Sequence, residues 1–274
     1  MAETSSDQAP EPDTHEGWRT PDATVGNLRV FIHPSTAALG VAAAVEAAEV
    51  IRAAVEVRGV ANAMFATGNS QLEFIETLVN DGYEIPWHRV VLFHMDEYVG
   101  IDPTHPAGFA KWIRERIVDR VKPLTAHLID SQADPTAECE RYAALLTANP
   151  LDLCCLGIGE NGHLAFNDPP NNADFDDPLD VKVVTLEESC RIQQINEGHF
   201  PDMSSVPTEA MTVTVPALLR ADRVIAVVPE ARKAAPVATA LKGPVSVACP
   251  ASALRTKVGA TLHLDPGSAS QLSG

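Results

Sequence analysis

Three short segments of this chain carry residues that could do chemistry. HMDEYVG (94–100) sets Asp96 and Glu97 directly after an apolar run. A carboxylate at such a junction can be a general base whose pKa is tuned by its neighbours, or it can be a solvated turn. ENGHLAFNDPP (160–170) places His163 near two potential carboxylate partners, Glu160 and Asp168. A histidine held by a carboxylate can shuttle protons near neutral pH, and the glycines around it let backbone approach a ligand closely. The plainer reading is a Gly-rich loop with a surface histidine. FATGNSQ (65–71) offers Thr67, Gly68, Asn69 and Ser70 just ahead of a helix. Amides and hydroxyls there make an anion site, or Ser70 is an ordinary N-cap. The loop is not a Walker loop, since no GK[ST] follows, and it lacks GxGxxG spacing. One histidine among carboxylates, without HxxxH or HxH spacing, suggests no metal site. His94, inside an apolar run, reads as a structural histidine.

These segments need elements to position them. Residues 28–33, 60–68, 89–95, 126–130, 151–159, 181–186, 209–215, 222–229 and 260–265 read as strands, being apolar and β-branched. Residues 36–59, 70–79, 106–121, 135–148 and 231–243 have helical composition, with Pro106 in a first turn and Pro236 bending or delaying the last helix. No repeat or composition break divides the chain. Alternating strands and helices predict one α/β domain over 25–274, with a mostly parallel sheet flanked by helices. In such sheets ligands sit beyond the C-terminal strand ends, and all three polar segments fall there.

The bulk properties narrow the partners. Of 274 residues, 45% are hydrophobic but only 5% aromatic, so the core is aliphatic. A formal net charge of −17 argues against nucleic acid and anionic membranes, and it requires a locally positive site for any anionic substrate. Cysteines stand at 139, 154, 155, 190 and 249, with no CxxC pair, which suggests neither disulfides nor zinc and fits a reducing cytoplasm. Cys154 and Cys155, in an apolar run, read as inert core residues. Residues 1–24 are polar, acidic and Pro-rich, without the features of a signal peptide, and are expected to form a disordered or loosely attached tail. No apolar run approaches the roughly 18 residues of a membrane span.

Taken together and in this order, the three segments resemble the glucosamine-6-phosphate deaminase family, whose relatives include the 6-phosphogluconolactonases. The resemblance runs from about residue 28 to 266, with HMDEYVG and GIGENGHLAFNDP its most specific parts. DEY followed by VG, and the HLAFNDP ending, look like the deaminase branch. The resemblance implies a Rossmann-like fold, a site over the C-terminal strand ends, no metal or cofactor, and often an oligomer. It implies that Asp96 moves a proton between C2 and C1 of an open-chain amino-sugar phosphate through an enediol-type intermediate, and that His163 assists ring opening. Asp168 stands where the family usually has a glutamate polarising that histidine, and Asn161 where members have aspartate or asparagine. The Thr67–Gly68–Asn69–Ser70 loop and Lys233, in PEARKA, match phosphate contacts.

Three departures from the family pattern stand out. The loop reads TGNSQ rather than TGGTP or TGSTP. Asn196 occupies the place of a phosphate-gripping arginine, with Arg191 more than a turn earlier and able to reach in. Asp168 is one methylene shorter than glutamate. Two rival readings follow. A lactonase would keep His163 but needs no base at C2, and a sugar-phosphate-binding protein would need no turnover.

Overall fold

Most strands of this chain are apolar at consecutive positions, the pattern of a parallel sheet covered on both faces. The computed structural model, which describes residues 22–80 and 83–272, contains that sheet. The strands are β1 (Ala23–Val25), β2 (Leu28–Ile32), β3 (Ala61–Phe65), β4 (Val90–His94), β5 (Asp96–Tyr98), β6 (Thr125–His127), β7 (Leu153–Leu156), β8 (Val181–Thr185), β9 (Glu209–Val213), β10 (Arg223–Val228) and β11 (Ala260–Leu264). The helices are α1 (Thr36–Arg58), α2 (Leu72–Asn80), α3 (Phe109–Ile113), α4 (Asp119–Val121), α5 (Pro135–Ala148), α6 (Glu188–Asn196), α7 (Val215–Leu219) and α8 (Ala234–Lys242). The main sheet has the order β1-β2-β11-β10-β7-β3-β4-β6, with every pair parallel except β1 with β2. Strands β5, β9 and β8 form a small antiparallel sheet.

Side chains alternate across a strand, so neighbours in sequence enter opposite layers. Cys155 packs with Ala63, Phe65 and Leu92 against the Ala-rich α1 and against Phe74 and Ile75 of α2. Cys154 packs with Met64, Phe93 and Ala226 against Tyr142 of α5 and Val237 of α8. Both thiols are fully buried, and burial raises the pKa of each, that of Cys154 to about 12. They are core residues, as their setting implied. A third cluster, with Tyr98, Phe109, Phe166 and Phe200, lies beneath the small sheet.

Several elements differ from the sequence reading for identifiable reasons. Residues 1–21 of the expected tail lie outside the described residues, whereas Ala23–Val25 pair with β2. The helix expected from Pro106 begins only at Phe109, and a π-helical turn, Arg114–Val118, joins α3 to α4. Val215, expected to end the strand over 209–215, instead opens α7, because Thr214 caps the helix by accepting from Ala217 N and Pro216 suits a first turn. The helix expected from residue 231 starts as a 3-10 turn, Ala231–Lys233, and becomes α-helical only at Ala234, a delayed start, with Pro236 in the first turn where its missing N–H breaks no intrahelical bond. DEY is itself a strand, β5, rather than a turn.

Glu97 explains the late start of α3. Its buried carboxylate accepts from Tyr98 N (3.0 Å) and Phe109 N (3.1 Å) through Oε1, and from Ala110 N (2.7 Å) through Oε2. Burial raises its pKa, and the three N–H bonds oppose that rise. Of the two adjacent acids, this one is structural. Glu97→Gln turns one acceptor oxygen into an NH2 group facing an amide, so it should cost about 1–3 kcal/mol in denaturant unfolding, with the m-value unchanged.

The chain turns to β4 and β6 on one side of β3, then returns to place β7 on the other. A topological switch point therefore lies between β3 and β7, and a crevice opens above it.

Candidate active site

Four adjacent strands, β10, β7, β3 and β4, release their following loops over that crevice. These loops and the end of α6 line one pocket that includes Thr67, Gly68, Asn69, Ser70, Asp96, His163 and Lys233. Residues from four separate stretches of sequence thus meet at one point. Asn161 and Asp168 stand behind His163 rather than in the lining.

Asp96 lies on β5, opposite Thr212 of β9, and is 7% exposed. Burial raises its pKa well above the usual carboxylate range, and the charges of Glu97 and Asp168 raise it further. Its carboxylate takes no hydrogen bond from any described residue. Met95, Phe109 and Phe166 line the pocket with it. A desolvated carboxylate without donors is a stronger base than one in water.

His163 is placed by its own loop. Gly159 N donates to His163 O (3.0 Å), and Gly162 turns the chain at φ +87°. His163 N donates to Asn161 Oδ1 (3.1 Å), while Asn161 Nδ2 donates to Asp168 Oδ1 (2.9 Å). The ring Nδ1 lies 2.8 Å from the same Asp168 oxygen, in a contact bent away from the N–H direction. The shorter aspartate therefore does reach the histidine. Burial disfavours the charge of Asp168, but His163, Asn161 and the Cys190 thiol outweigh it and hold its pKa below the usual range. Asp168 stays ionised while Asp96 is pushed towards protonation, an opposed pair of acids of the kind that divides labour at a proton-transfer site.

The ring of His163 also lies flat against Gly159. A Cβ at that glycine would sit 2.2–2.4 Å from three ring atoms, so the second glycine of GIG is the floor of the imidazole. His163, Asp168 and Cys190 offer ligand atoms within 4.8 Å of one another, the one such trio among the described residues. Asp168 already engages both of the others. His94 is structural, as expected: its Nε2 accepts from Ile129 N (2.8 Å), and burial lowers its pKa to about 3.

Lys233, also in the lining, is 3% exposed, its pKa lowered by burial and by the adjacent Arg232. The 66–71 loop carries a 3-10 turn, Asn69–Gln71, into α2, and the first amides of a helix have no intrahelical acceptor. Gln71, which replaces the family's proline, anchors this loop by donating to Val227 O (3.0 Å) on β10. Arg191 does not reach the pocket, contrary to expectation. Its guanidinium donates to Met203 O (2.6 Å) and Val206 O (2.9 Å), holding the turn after α6. Asn196 is exposed and also lies outside the lining.

The sequence reading missed Gln193, Gln194, Glu197 and His199, which line the pocket from α6 and the turn after it. Their signal was the polar spacing in RIQQINEGHF, where positions 193 and 197 share a helix face. Gln194 Oε1 lies 2.9 Å from His199 Nδ1, and Gln193 Nε2 donates to Glu197 (2.8 Å).

Comparison with known proteins agrees with this geometry. A family model described as glucosamine-6-phosphate isomerases/6-phosphogluconolactonase matches residues 34–263. A glucosamine-6-phosphate deaminase of Exiguobacterium sibiricum is 36% identical over 211 residues, 76% of this chain and 80% of that one. One of Bacillus thuringiensis is 33% identical, covering 73% of this chain and 74% of its own. Among solved structures, a monomeric glucosamine-6-phosphate deaminase superposes with a TM-score of 0.79 at 27% identity, covering 88% of this chain and 99% of that one. A 6-phosphogluconolactonase of Trypanosoma brucei gives 0.74 at 19% identity, covering 89% and 98%, and attests the fold alone. Among the described residues, no helix is long and apolar enough to cross a membrane.

Proposed function

Since this chain belongs to the glucosamine-6-phosphate isomerase/6-phosphogluconolactonase family, we propose that it converts glucosamine 6-phosphate and water to fructose 6-phosphate and ammonia. The observation that carries this reading is the buried Asp96 carboxylate, free of hydrogen-bond donors and facing the pocket that also holds His163 and Lys233. A lactonase has no use for a base at C2.

Ring opening comes first. His163, oriented by Asp168 and Asn161, exchanges a proton with the ring oxygen as the C1 hydroxyl becomes the aldehyde. Asp96 then removes the C2 proton, the C2–H electron pair forms the C1–C2 double bond, and the aldehyde oxygen takes a proton from the substrate's own C2 ammonium, giving an enolamine with a hydroxyl on C1 and an amino group on C2. Returning that proton to C1 leaves a C2 imine. Water adds to it and ammonia departs, leaving the ketose. Holding the open-chain sugar between Asp96 and His163 supplies much of the acceleration.

Lys233 and the 67–70 loop take the phosphate, supplying the local positive charge that a chain of net charge −17 needs. Lys233→Ala should raise KM for glucosamine 6-phosphate about 10- to 100-fold, as expected for loss of a charge-assisted bond. An unchanged KM would remove Lys233 as a phosphate contact. The five free, buried cysteines suit a reducing compartment, and we place the reaction in the cytoplasm.

The direct test is ammonia release from glucosamine 6-phosphate, with galactosamine 6-phosphate and glucosamine run in parallel. Release from the first is expected. Release only from another sugar moves the substrate and keeps the chemistry, and release from none, with folded protein, overturns the reading.

A further inference from the structure

The pocket needs more positive charge than Lys233 alone supplies, and the arginine beside it is held in an unusual way. Arg232 shares the short 3-10 turn Ala231–Lys233 with Lys233, beyond the C-terminal end of β10. Three carboxylates surround its guanidinium. Nη1 lies 2.5 Å from Glu197 Oε1 and 3.0 Å from Glu160 Oε1, and Nε lies 2.5 Å from Glu230 Oε2. Nη2 has no acceptor among the described residues. Glu197 lines the same pocket as Lys233, Asn69 and Ser70, whereas Arg232 is outside that lining and is tied to it through Glu197.

The turn is costly to hold. Glu230 has φ +81° and ψ 141°, a left-handed conformation rarely adopted by residues other than glycine. Such strain persists only where its surroundings enforce it, and it gathers at functional sites. Here Asp265 enforces it: both of its carboxylate oxygens accept from Glu230 N, at 3.2 and 3.0 Å. Thr36 Oγ1 and Ser268 N in turn donate to Asp265, at 2.8 Å each. The fold thus fixes the backbone that carries Arg232 and Lys233 while leaving Arg232 to exchange its partners.

Two cations among three carboxylates make a poor welcome for a dianion unless a carboxylate yields. We propose that Arg232 is the second phosphate-binding cation of this site, that it exchanges Glu197 for the phosphate when substrate enters, and that Glu197 sets how tightly anions bind. Arg232 would then do what Arg191 cannot, since Arg191 is committed to the carbonyls of Met203 and Val206. A guanidinium suits the task because its planar fork can bridge phosphate oxygens. The inference rests on the deaminase reading only for the identity of the anion.

The test is calorimetric titration of inorganic phosphate into the wild type and into Arg232→Ala, Arg232→Lys and Glu197→Gln, with KM and kcat for glucosamine 6-phosphate measured alongside. Arg232→Ala should weaken phosphate about 10- to 100-fold and raise KM more than it lowers kcat. Arg232→Lys, which keeps a charge in the carboxylate cage, should recover part of the loss and serves if the alanine variant does not fold. Glu197→Gln should tighten phosphate several-fold. Phosphate affinity unchanged in both Arg232 variants, weakening in Glu197→Gln, or no phosphate binding by the wild type would each overturn the proposal and leave Arg232 a structural clasp. Because the titration needs no turnover, a wild type that binds phosphate through Arg232 but releases no ammonia would sink the deaminase reading alone.

Discussion

Asp96→Asn is expected to lower ammonia release about 10²- to 10⁴-fold, the usual contribution of a positioned general base, while leaving the affinity for phosphate little changed. The amide keeps the shape of the side chain but cannot take the C2 proton. The same substitution should make the protein more stable at pH 7, and the sign follows from linkage. In the folded protein burial, then Glu97 and Asp168, raise the Asp96 pKa well above 3.8. Between the unfolded and folded pKa values the native state binds more protons than the unfolded state, so the aspartate destabilises the fold increasingly as pH rises through that window. Asparagine removes this penalty. Thermal unfolding of the two proteins should therefore show a higher midpoint for Asp96→Asn at neutral pH, with the gap closing as pH falls towards 4. A variant that is inactive but no more stable would mean that Asp96 is better solvated than its burial implies. A variant that stays active would remove it as the base.

Gly159→Ala should act on His163 without touching it chemically. The new methyl would stand 2.2–2.4 Å from ring atoms Cε1, Nε2 and Nδ1, far inside contact distance, so the imidazole must swing off its floor and away from Asp168. Displacements of about 1 Å at a reacting group can cost about 10²-fold in rate, and kcat should fall by about that factor while phosphate affinity changes little. His163→Asn should give a similar loss, and combining the two should add little, because both remove the same function. If Gly159→Ala turns over normally, ring opening does not depend on the imidazole where it now lies.

Much of this was legible in the sequence because the chemistry clusters at strand ends. The strands leading to the loops at 66, 95 and 157 could be read from apolar runs, and the parallel-sheet rule then put their polar endings on one side. The family resemblance supplied roles for Asp96, His163 and Asp168 that residue types alone left open. What could not be read depends on tertiary partners. Glu97 and Asp96 are chemically alike in sequence, and only the amides of Phe109 and Ala110 make one of them a helix anchor. Arg191 has the right charge in roughly the right stretch, yet the carbonyls of Met203 and Val206 claim it. Helix α6 has weak helical patterning of its own, since its buried positions are Cys190, Gln193 and Gln194, and two of these three are polar residues near the site. Functional sites are where local rules are expected to fail in this way.

The central claim is that one buried carboxylate carries the C2 proton to C1. Its most direct test is turnover of glucosamine 6-phosphate deuterated at C2, with the product examined by NMR. A primary isotope effect is expected, with part of the deuterium recovered on C1 of fructose 6-phosphate, because Asp96 is screened from bulk water and can return the label before it exchanges. Ammonia formed without an isotope effect, with the hydrogen added at C1 drawn wholly from solvent, would contradict the transfer by Asp96.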